Sequence, residues 1–213
     1  FYKNEGGDNL KISEIKATFY DLIGYFFSGL LFLLILYITS FHYTKSDIDW
    51  TMIKDMGATI VTLILFVCYI IGHLLSTLSS LIIEKWLLAN KINSLIPVRN
   101  QIYELFLEKF NKTFKCDFDN KDFRLAICYV ESSQPNVYST AFIFLSVYGM
   151  CRNFSLIFLS FSIVELIFTM MNKDGRLLSF AALYCVVGII FLYGYYRFFK
   201  YFKQDIIYGF ILS

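Results

Sequence analysis

The chain has 213 residues, of which 57% are hydrophobic, 20% aromatic and 17% charged, with a formal net charge of +2 and a mean hydropathy of +0.58. So much apolar surface excludes a disordered or linker-like protein and assigns the chain to lipid. So small a net charge excludes a strongly basic nucleic-acid binder, and no direct nucleic-acid partner is expected.

The chain opens on Phe1 rather than Met and is read as starting inside a longer one. Its first twenty residues are polar, and the apolar run behind them has no small-residue cleavage site, so no cleavable signal peptide is expected. That run, Leu22 to Ser40, is long enough for a helix to cross about 30 Å of hydrocarbon. Asp21, Gly24 and Ser28 form a stripe at its start. Asp21 serves there either as a carboxylate favoured by the helix dipole or as a salt-bridge partner for a basic group.

Thr59 to Ile83 is the second apolar run. Gly72, Ser76 and Ser80 recur in it every four residues, with Thr77 one turn from His73. Small residues at that spacing make a face on which another helix packs closely. The segment from Glu84 to Tyr138 is the only part large enough to form an independent recognition surface. Pro97 breaks it; Ile102, Leu105, Phe106 and Phe110 then recur at helical spacing between charged residues, predicting an amphipathic helix. Asn120 is the expected cap of a second helix through Ala126 and Tyr129, ended by Ser132, Ser133 and Pro135.

After Pro135 nothing interrupts a helix until Met171, a run of about 52 Å at 1.5 Å per residue, so its first half must project from the membrane. The apolar stretch Ala141 to Cys151 then needs cover, from the two amphipathic helices or from a neighbouring subunit. The third span is Phe154 to Met171 and the fourth Leu177 to Tyr196. Beyond the fourth, Tyr193 to Lys203 alternates aromatic and basic residues around Arg197, suited to anchoring at anionic headgroups, and Ile206 to Leu212 is expected to lie on the membrane or dock into another subunit.

The expected fold is an all-α membrane protein of four transmembrane helices with a helical cytoplasmic insertion between the second and third, divided at 1–83, 84–138 and 139–213. Lys and Arg number fifteen, including Arg152, on the side of the termini and the middle segment, against four on the other. The positive-inside rule then places both termini in the cytoplasm. Tyr20 and Tyr25, Tyr43 and Trp50, Trp86, and Tyr195 and Tyr196 mark the expected water boundaries.

An ionisable residue inside a span is costly and is a functional candidate by default. His73 lies twelve residues from Lys85 and Glu165 thirteen from Arg152; if both cations mark the cytoplasmic boundary, His73 and Glu165 share a depth of about 18 to 20 Å and can pair. Such a pair couples protons or ions, or is a structural hydrogen bond between helices. Asp21, Gly24, Ser28, Arg152 and Arg197 are the candidate positions for an interface or partner. The five cysteines, Cys68, Cys116, Cys128, Cys151 and Cys185, form no CxxC and read as small buried hydrophobes. Two histidines cannot build a histidine-rich metal centre; HExxH, GxSxG, P-loop and GxGxxG signatures are absent, and Asp117, Asp119 and Asp122 lack the glycine and terminal glutamate of a calcium loop. No enzyme activity, cofactor or metal is expected.

Tyr20-Asp21-Leu22-Ile23-Gly24-Tyr25 and Tyr69-Ile70-Ile71-Gly72-His73-Leu74 resemble patterns in small four-span bacterial proteins encoded beside anti-phage systems, the nearest being the membrane subunit of Kiwa. The resemblance covers hydropathy and these two motifs, about a tenth of the chain. It implies an inner-membrane protein that oligomerises, responds to an event at the envelope and passes the response to a cytosolic effector through the middle segment. The leading expectation is a non-enzymatic sensor or scaffold whose partners are the bilayer, further copies of itself and a cytosolic protein docking on residues 84–151. The alternatives are a pore-forming effector, with Ser76, Ser80, His73 and Glu165 along a hydrated path, and a proton-coupled transporter of small solutes.

Overall fold

The computed structural model describes residues 22–44, 57–87, 97–119, 122–172 and 175–213. Asp21, Trp50 and Asn120 lie outside them. Among the described residues all regular structure is helical: α1 (Phe27–Thr44), α2 (Ala58–Ser79), α3 (Asn100–Phe114), α4 (Phe123–Ser133), α5 (Pro135–Asn172) and α6 (Gly175–Leu212). Wide π-helical turns precede α1 at Leu22–Phe26 and follow α2 at Ser80–Leu87.

Three helices are long and apolar enough to cross a membrane, over Ala58–Ile83, Pro135–Met171 and Leu177–Leu212, as a multi-pass membrane protein requires. The first apolar helix, Gly24–Ser40, is shorter.

Pro135 sets the long helix. A proline ring disfavours the α conformation in the residue before it, and Gln134 accordingly adopts φ −135° and ψ 64°. The proline itself begins α5, where its missing N–H costs nothing. From there α5 runs without a break for 38 residues, as the sequence predicts. At 1.5 Å per residue that is about 57 Å, nearly twice the hydrocarbon thickness.

Helix α6 also runs for 38 residues, twice the length of the span expected at Leu177 to Tyr196, and it lies antiparallel to α5. Ser162 meets the Ala181 carbonyl at one end, Phe158 stacks on Phe191, Tyr148 on Tyr195, and Gly209 meets Val137 at the other end. Helices α1, α2 and α4 rest on α5 as well, which makes α5 the central element.

Two amphipathic helices do form, and they cover the first part of the predicted surface, around Ala141, together with the end of α6. Phe106 and Phe110 of α3 and Ala126 and Val130 of α4 share one core with Ala141 of α5 and Phe202, Ile206, Ile207 and Phe210 of α6. Helix α3 leans on α6, while α4 touches both long helices. Within the stretch Ile206 to Leu212, Ile206, Ile207 and Phe210 therefore form the floor of this core rather than an outward surface, while Leu212 at its end is exposed. Tyr148 and Cys151 are covered instead by Tyr195 and Ile83. Leu105, expected on the apolar face of α3, is 55% exposed because the stripe facing α6 is the narrower one through Phe106 and Phe110. Cys68 and Cys151 are buried as expected, but Cys116 and Cys128 lie exposed on the module.

Candidate functional site

Helices α1 and α2 approach so closely that their backbones touch. A Cβ on Gly72 would fall 1.9 Å from the Tyr25 carbonyl oxygen, and one on Gly29 would fall 1.8 Å from that of Cys68. Glycine is required at both positions by contact alone. Gly72, on the expected small-residue face, thus lies against Tyr25 in the turn that leads into α1.

Where this pair meets α5, two consecutive residues, Arg152 and Asn153, are both buried. Neighbours on a helix point about 100° apart, so both can be buried only because α1 and α2 flank α5 on different sides. Arg152 turns toward α2: Nε donates to Ser79 Oγ at 3.0 Å, and Nη2 donates to Ser76 Oγ at 3.1 Å and to the Ser76 carbonyl at 3.4 Å. Its guanidinium lies 5.7 Å from the Tyr148 ring centre. Asn153 reaches between the pair. Its Oδ1 accepts from Ser79 Oγ at 2.5 Å, and its Nδ2 donates to the Gly24 carbonyl at 2.8 Å and to Ser28 Oγ at 3.3 Å. Ser28 donates to the same Gly24 carbonyl at 2.8 Å.

Ser79 is the pivot: its hydroxyl oxygen accepts a hydrogen bond from Arg152 and its hydroxyl donates one to Asn153. The order Arg152, Ser79, Asn153, Gly24 polarises each bond along the chain and ties three helices to one charge. Gly24, Ser28, Ser76 and Arg152 were all singled out in the sequence. Asn153 and Ser79, which connect them, were not. The available signal was the Arg152-Asn153 dipeptide inside an otherwise apolar run, which is hard to accommodate unless both side chains find partners.

Beside this hub lies a cleft of about 370 Å³, with Tyr25, His73, Ser76, Ser80 and Lys85 among its lining residues and Arg152 at its base. His73 is exposed; its ring stacks on Tyr25 at 3.8 Å and meets Tyr69 edge-on at 4.6 Å.

No protein-family model, curated protein or solved structure matches this chain. Its chemistry therefore rests on the geometry.

The geometry separates His73 from Glu165. The Ser79 to Asn153 bond fixes the register of the antiparallel helices α2 and α5, with Ile83 beside Tyr148 below it and Leu75 beside Ile157 above. His73 then lies six residues above that level and Glu165 twelve, an axial offset of about 9 Å. His73 also faces outward, whereas Glu165 is 3% exposed and lies near Tyr184 of α6. The equal-depth expectation fails because Arg152 stands level with Ser76 and Ser79 rather than with Lys85. Arg197 lies elsewhere, exposed on α6, where it donates to the Tyr201 hydroxyl at 3.0 Å. The aromatic and basic face around it does not act as one anchoring surface, since Tyr195 and Phe202 are buried. Among the described residues, no three His, Cys, Asp or Glu side chains gather as a metal-binding group. The hub has the character of a joint: a buried cation that ties α5 to α2, with Asn153 beside it carrying the connection to Ser28 and Gly24.

Proposed function

We propose that the protein is a non-enzymatic relay of the bacterial inner membrane, crossing it four times with both termini and the middle module in the cytoplasm. In this reading it self-associates and couples an event in the envelope to a cytosolic protein, in anti-phage defence. The cation balance across the loops supports the orientation, and the likeness to Kiwa-type membrane subunits supports the setting. The observation that carries the relay is the continuity of α5 and α6: both pass unbroken from the apolar segments into the core that holds α3 and α4. A displacement of either helix at the Arg152 hub is transmitted along a stiff rod rather than absorbed by a loop. Packed helices of this kind respond by shifting as units.

The test is capture of the tagged full chain in detergent. A defined cytosolic protein encoded beside it should be retained, and retention should fall when Leu105→Glu charges the exposed face of α3. Recovery of this chain alone would overturn the reading. Membrane potential recorded during induced expression separates it from a pore: the relay leaves the potential unchanged, whereas depolarisation abolished by Glu165→Gln would replace the relay by a conducting path.

A further inference from the structure

We infer that the outward face of α2, centred on His73, is the surface on which two copies of this chain pair, a pairing that rests on the self-association proposed above and gives it a place. Helix α2 has two opposite sides. Cys68, Gly72, Leu75 and Ser79 are buried against the rest of the bundle. Leu63, Phe66, Ile70, His73 and Thr77, spaced three and four residues apart, run along the other side and are all exposed. At 100° per residue the centres of the two rows stand roughly 170° apart. Pairing through the second row therefore leaves the first in place.

His73 is the costly member of the outward row. It lies fifteen residues after Ala58 and ten before Ile83, about 22 Å and 15 Å from the ends of the apolar helix, near the middle of a hydrocarbon layer about 30 Å thick. Its ring stacks on Tyr25 and meets Tyr69 edge-on, but its two nitrogens hydrogen-bond to none of the described residues. Hydrocarbon offers no partner either, and a polar group left so is strongly unfavourable. A second copy supplies what lipid lacks. Copies inserted in the same orientation about a two-fold axis along the membrane normal bring each residue to the depth of its own counterpart, so His73 of each meets the polar part of the other's row. A neutral imidazole carries one donor and one acceptor. Thr77 gives its hydroxyl proton to the His73 carbonyl at 3.0 Å and keeps its oxygen as an acceptor one turn away. Each copy thus holds both halves of the bonds that the other needs. The three- and four-residue spacing is that of left-handed helix pairing, and Leu63, Phe66 and Ile70 extend the contact toward the start of α2.

The full chain carrying benzoylphenylalanine in place of Phe66 is irradiated in membranes. An adduct of twice the chain mass should form, and should not form from the same probe at Tyr193, an exposed aromatic of α6. Förster transfer between two labelled populations in liposomes, followed on dilution with lipid, then gives the strength of the pair. His73→Leu, apolar where the side chain faces lipid, should weaken it roughly tenfold, the weight of about one interhelical hydrogen bond, while His73→Asn, which keeps a donor and an acceptor, should hold it near the parent. Thr77→Val, of nearly the same shape, should weaken it in the same direction and guards against a loss of fold in His73→Leu. Transfer unchanged in both apolar variants, an adduct from Tyr193 alone, or an adduct at Phe66 with a different protein would overturn this face and leave self-association standing. Absence of transfer in the parent would overturn self-association and this face with it.

Discussion

Arg152 illustrates what a charge needs in order to sit inside an apolar bundle. Its donors meet two serine hydroxyls, the Tyr148 hydroxyl and a backbone carbonyl, so the buried guanidinium is hydrogen-bonded on several sides. Asn153 carries the network onward, and removing it takes one buried partner each from Ser79, Ser28 and the Gly24 carbonyl and cuts the link between α5 and α1. Asn153→Ala should destabilise the protein by about 1–3 kcal/mol, read as a lower unfolding temperature of the full chain in detergent. A second test concerns the C-terminal part of α6, beyond the fourth span expected to end at Tyr196. Burial pushes the Asp205 carboxyl above its ordinary 3.8. The folded chain therefore holds that proton more tightly than the unfolded chain does. The Asp205 contribution opposes folding at neutral pH, and this penalty is relieved as pH falls through the raised value toward 3.8. Asp205→Asn should thus be more stable than the parent at neutral pH, with the gap closing on acidification, in thermal unfolding followed across pH. Burial acts on Lys203 in the opposite sense, lowering it from 10.5, while its ammonium lies 5.6 Å and 5.4 Å from the ring centres of Phe123 and Phe199. Its contribution opposes folding below the lowered value, and that penalty lifts as pH rises toward 10.5.

At the scale of elements, the pairing of α1 with α2 depends on two glycines, and the core beneath α3 and α4 on a cluster of aromatic side chains. Phe210 sits within 6.0 Å, centre to centre, of Phe106, Phe110, Phe114 and Tyr129, which locks the end of α6 under α3 and α4. Edge-on and tilted contacts of this kind add to the burial of the rings themselves. The glycine contact is less forgiving, because backbone atoms cannot rotate away as a side chain can. Gly72→Ala should force the pair apart and cost about 1–3 kcal/mol. A drop in unfolding temperature in detergent would show it, and an unchanged temperature would mean that the close approach is absent in solution. Helix α1 is also the shortest of the apolar helices, so its hold on the bundle depends more than the others on this contact and on the hub.

For the whole molecule, the governing question is which parts face which solvent. Cys116 and Cys128 are exposed on the α3 and α4 module, while Cys68 and Cys151 are buried. These native thiols report orientation without new mutations. A membrane-impermeant maleimide should leave Cys116 and Cys128 unlabelled in intact spheroplasts and label both in inverted vesicles. Labelling from the outer face would reverse the proposed topology.

The helical class, the unbroken course of α5 from Pro135 and the existence of two amphipathic helices were legible in the sequence. They follow from local rules: apolar runs without proline, a proline at Pro135 that stops one helix and starts the next, and aromatic residues at helical spacing. The small-residue face at Gly72 was legible for the same reason, since spacing along one helix fixes which residues share a side. What lies against that side is a different kind of information. Whether Arg152 marks a membrane boundary or anchors a hub depends on the register between α2 and α5, helices some seventy residues apart in the chain, and no periodicity within either one sets it. The Ser79 to Asn153 bond sets it, and with that bond His73 moved away from Glu165 and toward Tyr25. The covering of Ile206 to Phe210 had the same cause. An apolar stretch states only that it must leave water, and only the packed helices decide whether lipid, another chain or the protein's own α3 and α4 receive it.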